Sequence, residues 1–229
     1  MQWRQIADDV ALMQFPLRGF GIDFGRNVTL LRLRDGRVVI HSSAPFSSED
    51  VATIRHFGEP SWLVDATLMH DTFAHQGRAA FEKIPYFAPA GFAKVSGVAT
   101  EPLDSPPAKW AGEIDVLQIG GLRRINEYAF FHRASRTLIL ADLLFHFPAD
   151  SQGWPRFFIR HAMRLPELIG MSAFYRLAIR DKEAFEGSMK TLLELDFRQI
   201  VLAHREPIEK EAKAVLGQAL SAWGFSARS

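Results

Sequence analysis

Four short apolar segments of the chain each end on a residue that can bind a metal or transfer a proton. The segments are 38–40, 62–64, 138–141 and 200–203, and the residues that follow them are His41, Asp65, Asp142 and His204. Short aliphatic runs bounded by polar residues are typical of strands buried on both faces. Because α/β proteins bind ligands at one edge of a sheet, the repetition predicts a site there. A single His or Asp after a strand is more often a cap or a hydrogen-bonded core residue.

The pattern of the remaining positions predicts an α/β (α+β) fold. A hairpin is expected at 28–40 around the Asp35-Gly36 turn, and Ser47 or Ser48 is the predicted N-cap of the helix that follows. Further strands are predicted at 60–65, 86–88, 114–119, 128–131, 137–141 and 200–204. Helices are predicted at 76–83, from 154 to 195 with breaks, and at 208–223. This order favours two sheet-and-helix halves packed as a sandwich.

Composition narrows the class of protein without identifying a reaction. The 229 residues are enough for one domain with a sizeable core, so we expect a single domain over 1–229, with a helical insertion at about 154–195. The net charge of +1 provides no general attraction to nucleic acid, and no nucleic-acid partner is expected. No cysteine is present, which excludes thiolate ligands. The first fifteen residues do not resemble a signal peptide, and no membrane span is expected, so the predicted location is the cytoplasm.

The residue types support a metal site only in part. His70, Asp142 and His204 carry the nitrogen and oxygen donors that Zn²⁺, Mn²⁺ or Fe accept. No HxxxH or HExxH pair fixes two ligands on one helical turn. Two interpretations therefore stay open, namely one bound divalent metal and a metal-free, hydrogen-bonded polar cluster.

Four segments of the sequence together resemble the metallo-β-lactamase-like superfamily, in an uncharacterised branch whose metal motif is degenerate. They are 39–42 (VIHS), 68–71 (LMHD), 129–143 (AFFHRASRTLILADL) and 202–207 (LAHREP). The resemblance extends from about residue 27 to residue 223. It implies an αββα sandwich of two mixed sheets with helices outside and a metal-binding cleft along one edge.

The superfamily's motifs are only partly present in this chain. An aspartate expected after the second hairpin strand corresponds to His41. The THxHxDH motif corresponds to residues 64–70, where Asp65 and Thr67 replace the first two histidines and Met69 replaces the aspartate. The last histidine of that motif is retained as His70. A thioether such as that of Met69 is a poor ligand for a hard cation and a poor base.

Two further motif positions are retained, and they define what the resemblance implies about the site. The bridging aspartate corresponds to Asp142 and the final histidine to His204, whereas no histidine lies near 120–123. The resemblance therefore implies at most one metal (Zn, Mn or Fe), held by His70, Asp142 and His204. Catalytic roles are predicted for Asp142, His70 and Asp65, the last as a further ligand or as a residue that orients a histidine.

The resemblance implies a metal-dependent hydrolase acting on an unknown small molecule. The alternative is a catalytically inactive protein of the same fold that binds a ligand or another protein, with its cleft plugged by side chains.

The segment from 154 to 180 adds aromatic residues and the regularly spaced Arg156, Arg160 and Arg164. It is interpreted as a solvated helix face, with a lid over the cleft, a membrane-surface contact and a homodimer contact as the alternatives.

Overall fold

The computed structural model describes residues 2–225, and within them the chain alternates between strands and helices. The strands are, in chain order, β1 (Gln2–Ala7), β2 (Val10–Phe15), β3 (Arg18–Gly19), β4 (Ile22–Asp23), β5 (Arg26–Arg32), β6 (Arg37–His41), β7 (Glu59–Val64), β8 (Tyr86–Ala88), β9 (Glu101–Pro102), β10 (Ile114–Gln118), β11 (Tyr128–His132), β12 (Thr137–Leu140), β13 (Phe145–His146), β14 (Ile169–Gly170) and β15 (Gln199–Leu202). The α-helices are α1 (Ser48–Phe57), α2 (Ala74–Ala80), α3 (Phe92–Ser96), α4 (Gly153–His161), α5 (Ala173–Ala178), α6 (Lys182–Glu194) and α7 (Ala212–Ser221). Two 3₁₀ helices cover Leu68–Phe73 and Ala108–Trp110.

Two mixed sheets make up the centre of the fold. The first has the strand order β1-β2-β5-β6-β7-β8-β9 and is antiparallel up to β6 and parallel from β6 to β9. The second has the order β10-β11-β12-β15, with a single parallel pair between β12 and β15. The carboxyl ends of β6 and β7 therefore lie side by side, as do those of β12 and β15.

The sheets pack face to face and are covered by helices on their outer faces. Apolar residues from both sheets, among them Val39, Trp62, Phe130, Ile139 and Val201, form one buried cluster. A second cluster joins the first sheet to residues of α1, α2 and α3, and a third joins the second sheet to residues of α5, α6 and α7. This arrangement is an αββα sandwich, which confirms the predicted fold class.

Most predicted elements are present, and the differences have local causes. Ser47 is the N-cap of α1, in a capping box with Asp50. The last helix begins at Ala212 rather than at 208, because Ile208 exchanges two backbone hydrogen bonds with Ile200. The hairpin of β1 and β2 was not predicted. Its second strand is buried along almost its whole length, so it lacks the apolar and polar alternation that identifies a half-exposed strand.

The segment from 153 to 194 contains α4, α5 and α6 together with the short strand β14, which pairs with β13. Arg160 and Arg164 are exposed, whereas Arg156 is half-buried and donates to the carbonyl oxygens of Ala149 and Ser151.

Within residues 2–225, none of the helices combines the length and the hydropathy that crossing a membrane requires.

Candidate metal centre

His70 lies in the 3₁₀ helix that follows β7. Thr67 caps this helix, and its hydroxyl donates to the carbonyl oxygen of Ile125 at 3.2 Å. The backbone N–H of Leu68 donates to the same carbonyl at 2.9 Å. These two bonds attach the segment after β7 to the loop between β10 and β11, and the imidazole of His70 is 2% exposed.

Asp142 follows β12, and the buried carboxyl group of Glu127 holds the backbone that carries it. The side chain of Glu127 accepts hydrogen bonds from the backbone N–H groups of Ala141, Asp142 and Leu143 at 3.1, 3.2 and 3.3 Å. Burial, together with the negative charge of Asp142, raises the pKa of Glu127 to about 8. Glu127 is therefore a positioning residue. Its role depends on contacts across the turn, and the residue pattern along the chain contains no signal for it.

Replacing Glu127 by alanine is expected to destabilise the fold by about 2 to 3 kcal/mol, because three buried N–H groups lose their acceptor. Glu127→Gln is expected to cost less, since the amide oxygen still accepts. Urea unfolding followed by tryptophan fluorescence measures both, with Glu82→Ala on the exposed surface as the control. Equal stability of Glu127→Ala and the wild type would contradict the positioning role.

His204 follows β15 and is held in one orientation. Its Nδ1 lies 2.7 Å from the carbonyl oxygen of Gly25, and its ring stacks on Phe145 with a centroid distance of 5.3 Å. The side-chain amide of Asn27 donates to the carbonyls of Leu202 and Arg205 at 2.8 and 2.7 Å, which joins the start of β5 to the end of β15. Because a carbonyl oxygen only accepts, Nδ1 of His204 carries the proton. In the neutral ring, Nε2 is then a free lone pair.

His70, Asp142 and His204 meet at the point where the two sheets join. One donor atom from each lies within 4.8 Å of the others. Oδ1 of Asp142 is 3.4 Å from Nε2 of His70 and 3.2 Å from Nε2 of His204. The two rings are nearly perpendicular, at 89°. Among residues 2–225 this is the one group of three or more histidine or acidic side chains that converges in this way.

The electrostatics of the group favour a cation at its centre. Burial lowers the pKa of His70 to about 3, and neither ring nitrogen has a hydrogen-bond partner among the described residues. Burial opposes ionisation of Asp142, but the interactions with His70 and His204 outweigh it and lower the pKa of that carboxyl. In the neutral form of the His204 ring, the carboxylate faces a lone pair, and two acceptors require a proton or a metal between them. Two imidazoles and one carboxylate are suitable ligands for Zn²⁺, Mn²⁺ or Fe.

Asp65, predicted to be catalytic, lies outside this group. It is fully buried, and its carboxylate accepts hydrogen bonds from the backbone N–H of Ser43 at 3.1 Å, from the Ser43 hydroxyl at 2.6 Å and from the Tyr86 hydroxyl. None of these partners is His70 or His204. Burial raises the pKa of Asp65, an effect opposed first by the positive charge of Arg26. Its catalytic role stays a prediction.

Arg26 is a charged residue of the site that sequence reasoning missed. It begins β5 and is 1% exposed. Burial lowers its pKa, and the charges of Asp65 and Asp142 are the largest effects that oppose this change. A guanidinium stays protonated in proteins, so a positive charge lies beside the metal-ligand group. The strand pattern contains no sign of it, because Arg26 precedes the alternating positions from which the hairpin was predicted.

Two other altered motif positions, His41 and Met69, contribute no donor atom to the cluster. His41 packs its ring on Phe130 at 4.8 Å between centroids and is 1% exposed. Met69 is exposed and lines the cavity that adjoins the group, and Asp71 and His75 are outside the group. The limit of one metal, which the resemblance implies, stays a prediction.

His41 is expected to make the fold sensitive to acid. Burial lowers its pKa from 6.5 to about 4. Between these values the unfolded chain binds a proton that the folded chain does not, so stability falls as the pH decreases from about 6.5 to about 4, by up to about 1.4 kcal/mol per pH unit. His41→Phe, compared with the exposed control His56→Gln in urea unfolding with chelator present, should flatten this slope. Unchanged slopes in both variants would contradict the prediction.

Comparison with proteins of known structure identifies the fold. The DIM-1 metallo-β-lactamase superposes with a TM-score of 0.66 at 16% identity, covering 96% of this chain and 95% of that one. A metallo-β-lactamase from Erythrobacter litoralis gives 0.66 at 14% identity, covering 96% and 94%. The mono-zinc form of FIM-1 from Pseudomonas aeruginosa gives 0.64 at 13% identity, covering 98% and 96%. No protein-family model and no curated protein matches the sequence.

The chain therefore has the metallo-β-lactamase fold, as the resemblance of its motifs implied. At these identities the likeness defines the architecture and leaves the reaction and the substrate open.

Proposed function

We propose that the chain is a single-domain, metal-dependent hydrolase of a small molecule, with one divalent cation held by His70, Asp142 and His204. The observation that carries the proposal is the approach of three donor atoms within 4.8 Å, with the proton of His204 directed away from the group to Gly25. A hydrogen bond from the second nitrogen of a histidine to a backbone carbonyl is the usual support for a metal-binding imidazole.

The chain's own residues have separate roles in this proposal. A divalent cation in such a site polarises a carbonyl or phosphoryl oxygen and makes water a better nucleophile at neutral pH. Among residues 2–225, Asp142 provides the only carboxylate that lines the adjoining cavity. Because Met69 cannot accept a proton, we assign proton transfer to the Oδ2 atom of Asp142. Asp65 is proposed as a positioning residue, which acts through the charge of Arg26 and does not touch the substrate.

Metal content tests the first half of the proposal. Protein dialysed against Zn²⁺ or Mn²⁺ and then against buffer should retain about one equivalent, and Asp142→Asn should retain little. Asp71→Asn is a matched control, because Asp71 neighbours His70 but lies outside the group. Less than about a fifth of an equivalent in the wild type with every metal would overturn the proposed site.

Hydrolysis of nitrophenyl esters, thioesters and phosphodiesters by the metal-loaded protein tests the second half. Turnover that requires the metal and is lost in Asp142→Asn is the expected result. Metal uptake without turnover of any of these bonds would favour the inactive binding protein instead. The plugged cleft expected for that alternative is not seen, since a cavity of about 640 Å³ adjoins His70, Asp142 and His204.

A further inference from the structure

The cavity beside the metal-ligand group is lined mostly by apolar side chains. Its volume of about 640 Å³ is within the range of small-molecule binding sites. Two of the lining residues, Phe24 and Phe145, contact the ring of His204. Phe158 and Phe174 come from α4 and α5, and these two rings stack on each other at 6.5 Å. The walls therefore suit a ligand with an apolar body.

One buried side chain of this lining carries an unpaired charge. Arg26 is 1% exposed and lines the cavity, yet its Nε and Nη1 atoms have no hydrogen-bond partner among the described residues. No carboxylate of these residues forms an ion pair with it, although Asp65 and Asp142 act on it from a longer distance. A buried guanidinium with two nitrogens that lack partners is unfavourable by several kcal/mol. An anion that enters the cavity and accepts hydrogen bonds from Arg26 would remove that cost.

The other charged groups of the lining point to the same kind of ligand. Arg123, Arg124 and Arg180 also line the cavity, and all three are exposed. None of them forms an ion pair with a carboxylate of residues 2–225. Within the part of the chain that the structure describes, Asp142 is the only carboxylate of the lining, so four arginines face one acid. A cleft with this balance concentrates anions from solution.

We propose that the cavity binds an amphiphilic anion, whose carboxylate or phosphate group accepts hydrogen bonds from Arg26 while its acyl or aryl body lies against the aromatic walls. This proposal rests on the proposed hydrolase function for one point only, that the bond to be cleaved lies near His70, Asp142 and His204. The planar guanidinium suits either oxyanion, because both accept two parallel N–H groups.

Binding to the metal-free protein tests the proposal, because a chelator prevents the probe from binding to a metal ion. Isothermal titration calorimetry with octanoate, octyl phosphate and octanol, in EDTA and below their aggregation concentrations, compares the same chain length with different head groups. Octanoate or octyl phosphate should bind at least about tenfold more tightly than octanol. The tighter of the two identifies the head group. Octanol binding as tightly as both anions would overturn the proposal, as would inorganic phosphate binding as tightly as octyl phosphate.

Two variants of Arg26 and one control assign the effect to this residue. Arg26→Met should weaken binding of the anion by about tenfold or more and leave octanol binding unchanged. Arg78→Met is the matched control, since Arg78 is a partly buried arginine outside the cavity. If Arg26→Met also loses octanol, Arg26→Lys decides. Preference for the anion over octanol in that variant supports the proposal, and equal binding contradicts it.

The outcomes separate this proposal from that of the hydrolase. Anion binding that depends on Arg26, in a protein that takes up no metal, would support the ligand class and reject the metal-dependent reaction. The opposite result is metal uptake that depends on Asp142, with octanoate and octyl phosphate binding no more tightly than octanol. It would support the metal site of the proposed hydrolase and reject the anionic ligand class.

Discussion

Asp65→Ala is expected to lower the free energy of unfolding by about 3 to 5 kcal/mol, because three buried donors lose their acceptor at about 1 to 3 kcal/mol each. The carboxylate of Asp65 is the largest favourable charge that acts on the buried Arg26. It also accepts three hydrogen bonds, two from Ser43 and one from Tyr86. Its removal leaves a buried cation and three buried donors without their main partner, and alanine cannot compensate for any of them.

Urea unfolding of two Asp65 variants and a control measures the effect. Asp65→Asn keeps the volume and one acceptor oxygen but loses the charge, so its stability should lie between those of Asp65→Ala and the wild type. Asp196→Ala is the control, because Asp196 is an acid at the surface whose pair with Arg136 is exposed to solvent. An Asp65→Ala protein within about 1 kcal/mol of the wild type would show that Arg26 does not depend on this carboxylate.

This prediction also concerns a position at which the chain departs from the superfamily's motif. Asp65 stands where the resemblance places a metal ligand, and it directly follows β7, as a ligand would. Its neighbours are instead the hydroxyl of Tyr86 and the charge of Arg26. The end of a strand determines where the backbone leaves the sheet. The direction of the side chain beyond it depends on residues from other strands.

The fold was more predictable from the sequence than the site, for a physical reason. The parallel pair of β12 and β15 follows from two buried apolar runs, and their carboxyl ends bring Asp142 and His204 together. Glu127 and Arg26 belong to the same site, but each acts only through contacts with distant segments. No spacing along the chain encodes such contacts, so these two residues were not predicted.

Addition of Zn²⁺ or Mn²⁺ is expected to raise the melting temperature of the wild type and to leave His70→Ala and His204→Ala unchanged. A ligand that binds only the folded state at about 100 times its dissociation constant stabilises it by about 2.7 kcal/mol. For a domain of this size that corresponds to about 5 to 10 °C. Each histidine contributes one of three donor atoms, and two remaining donors are too few to hold a divalent cation against water.

A control variant and a comparison within each variant make this experiment specific. His75→Ala removes an exposed histidine five residues beyond His70, so it should retain the full shift if the effect comes from the group with Asp142. His204→Ala also loses the hydrogen bond to Gly25 and the stacking on Phe145, and is therefore expected to be less stable even with chelator present. The comparison is accordingly the shift on adding metal within each variant. A shift of equal size in His70→Ala and His204→Ala would place the bound metal elsewhere on the chain, and the polar cluster would then be metal-free, its carboxylate and imidazoles linked by a proton.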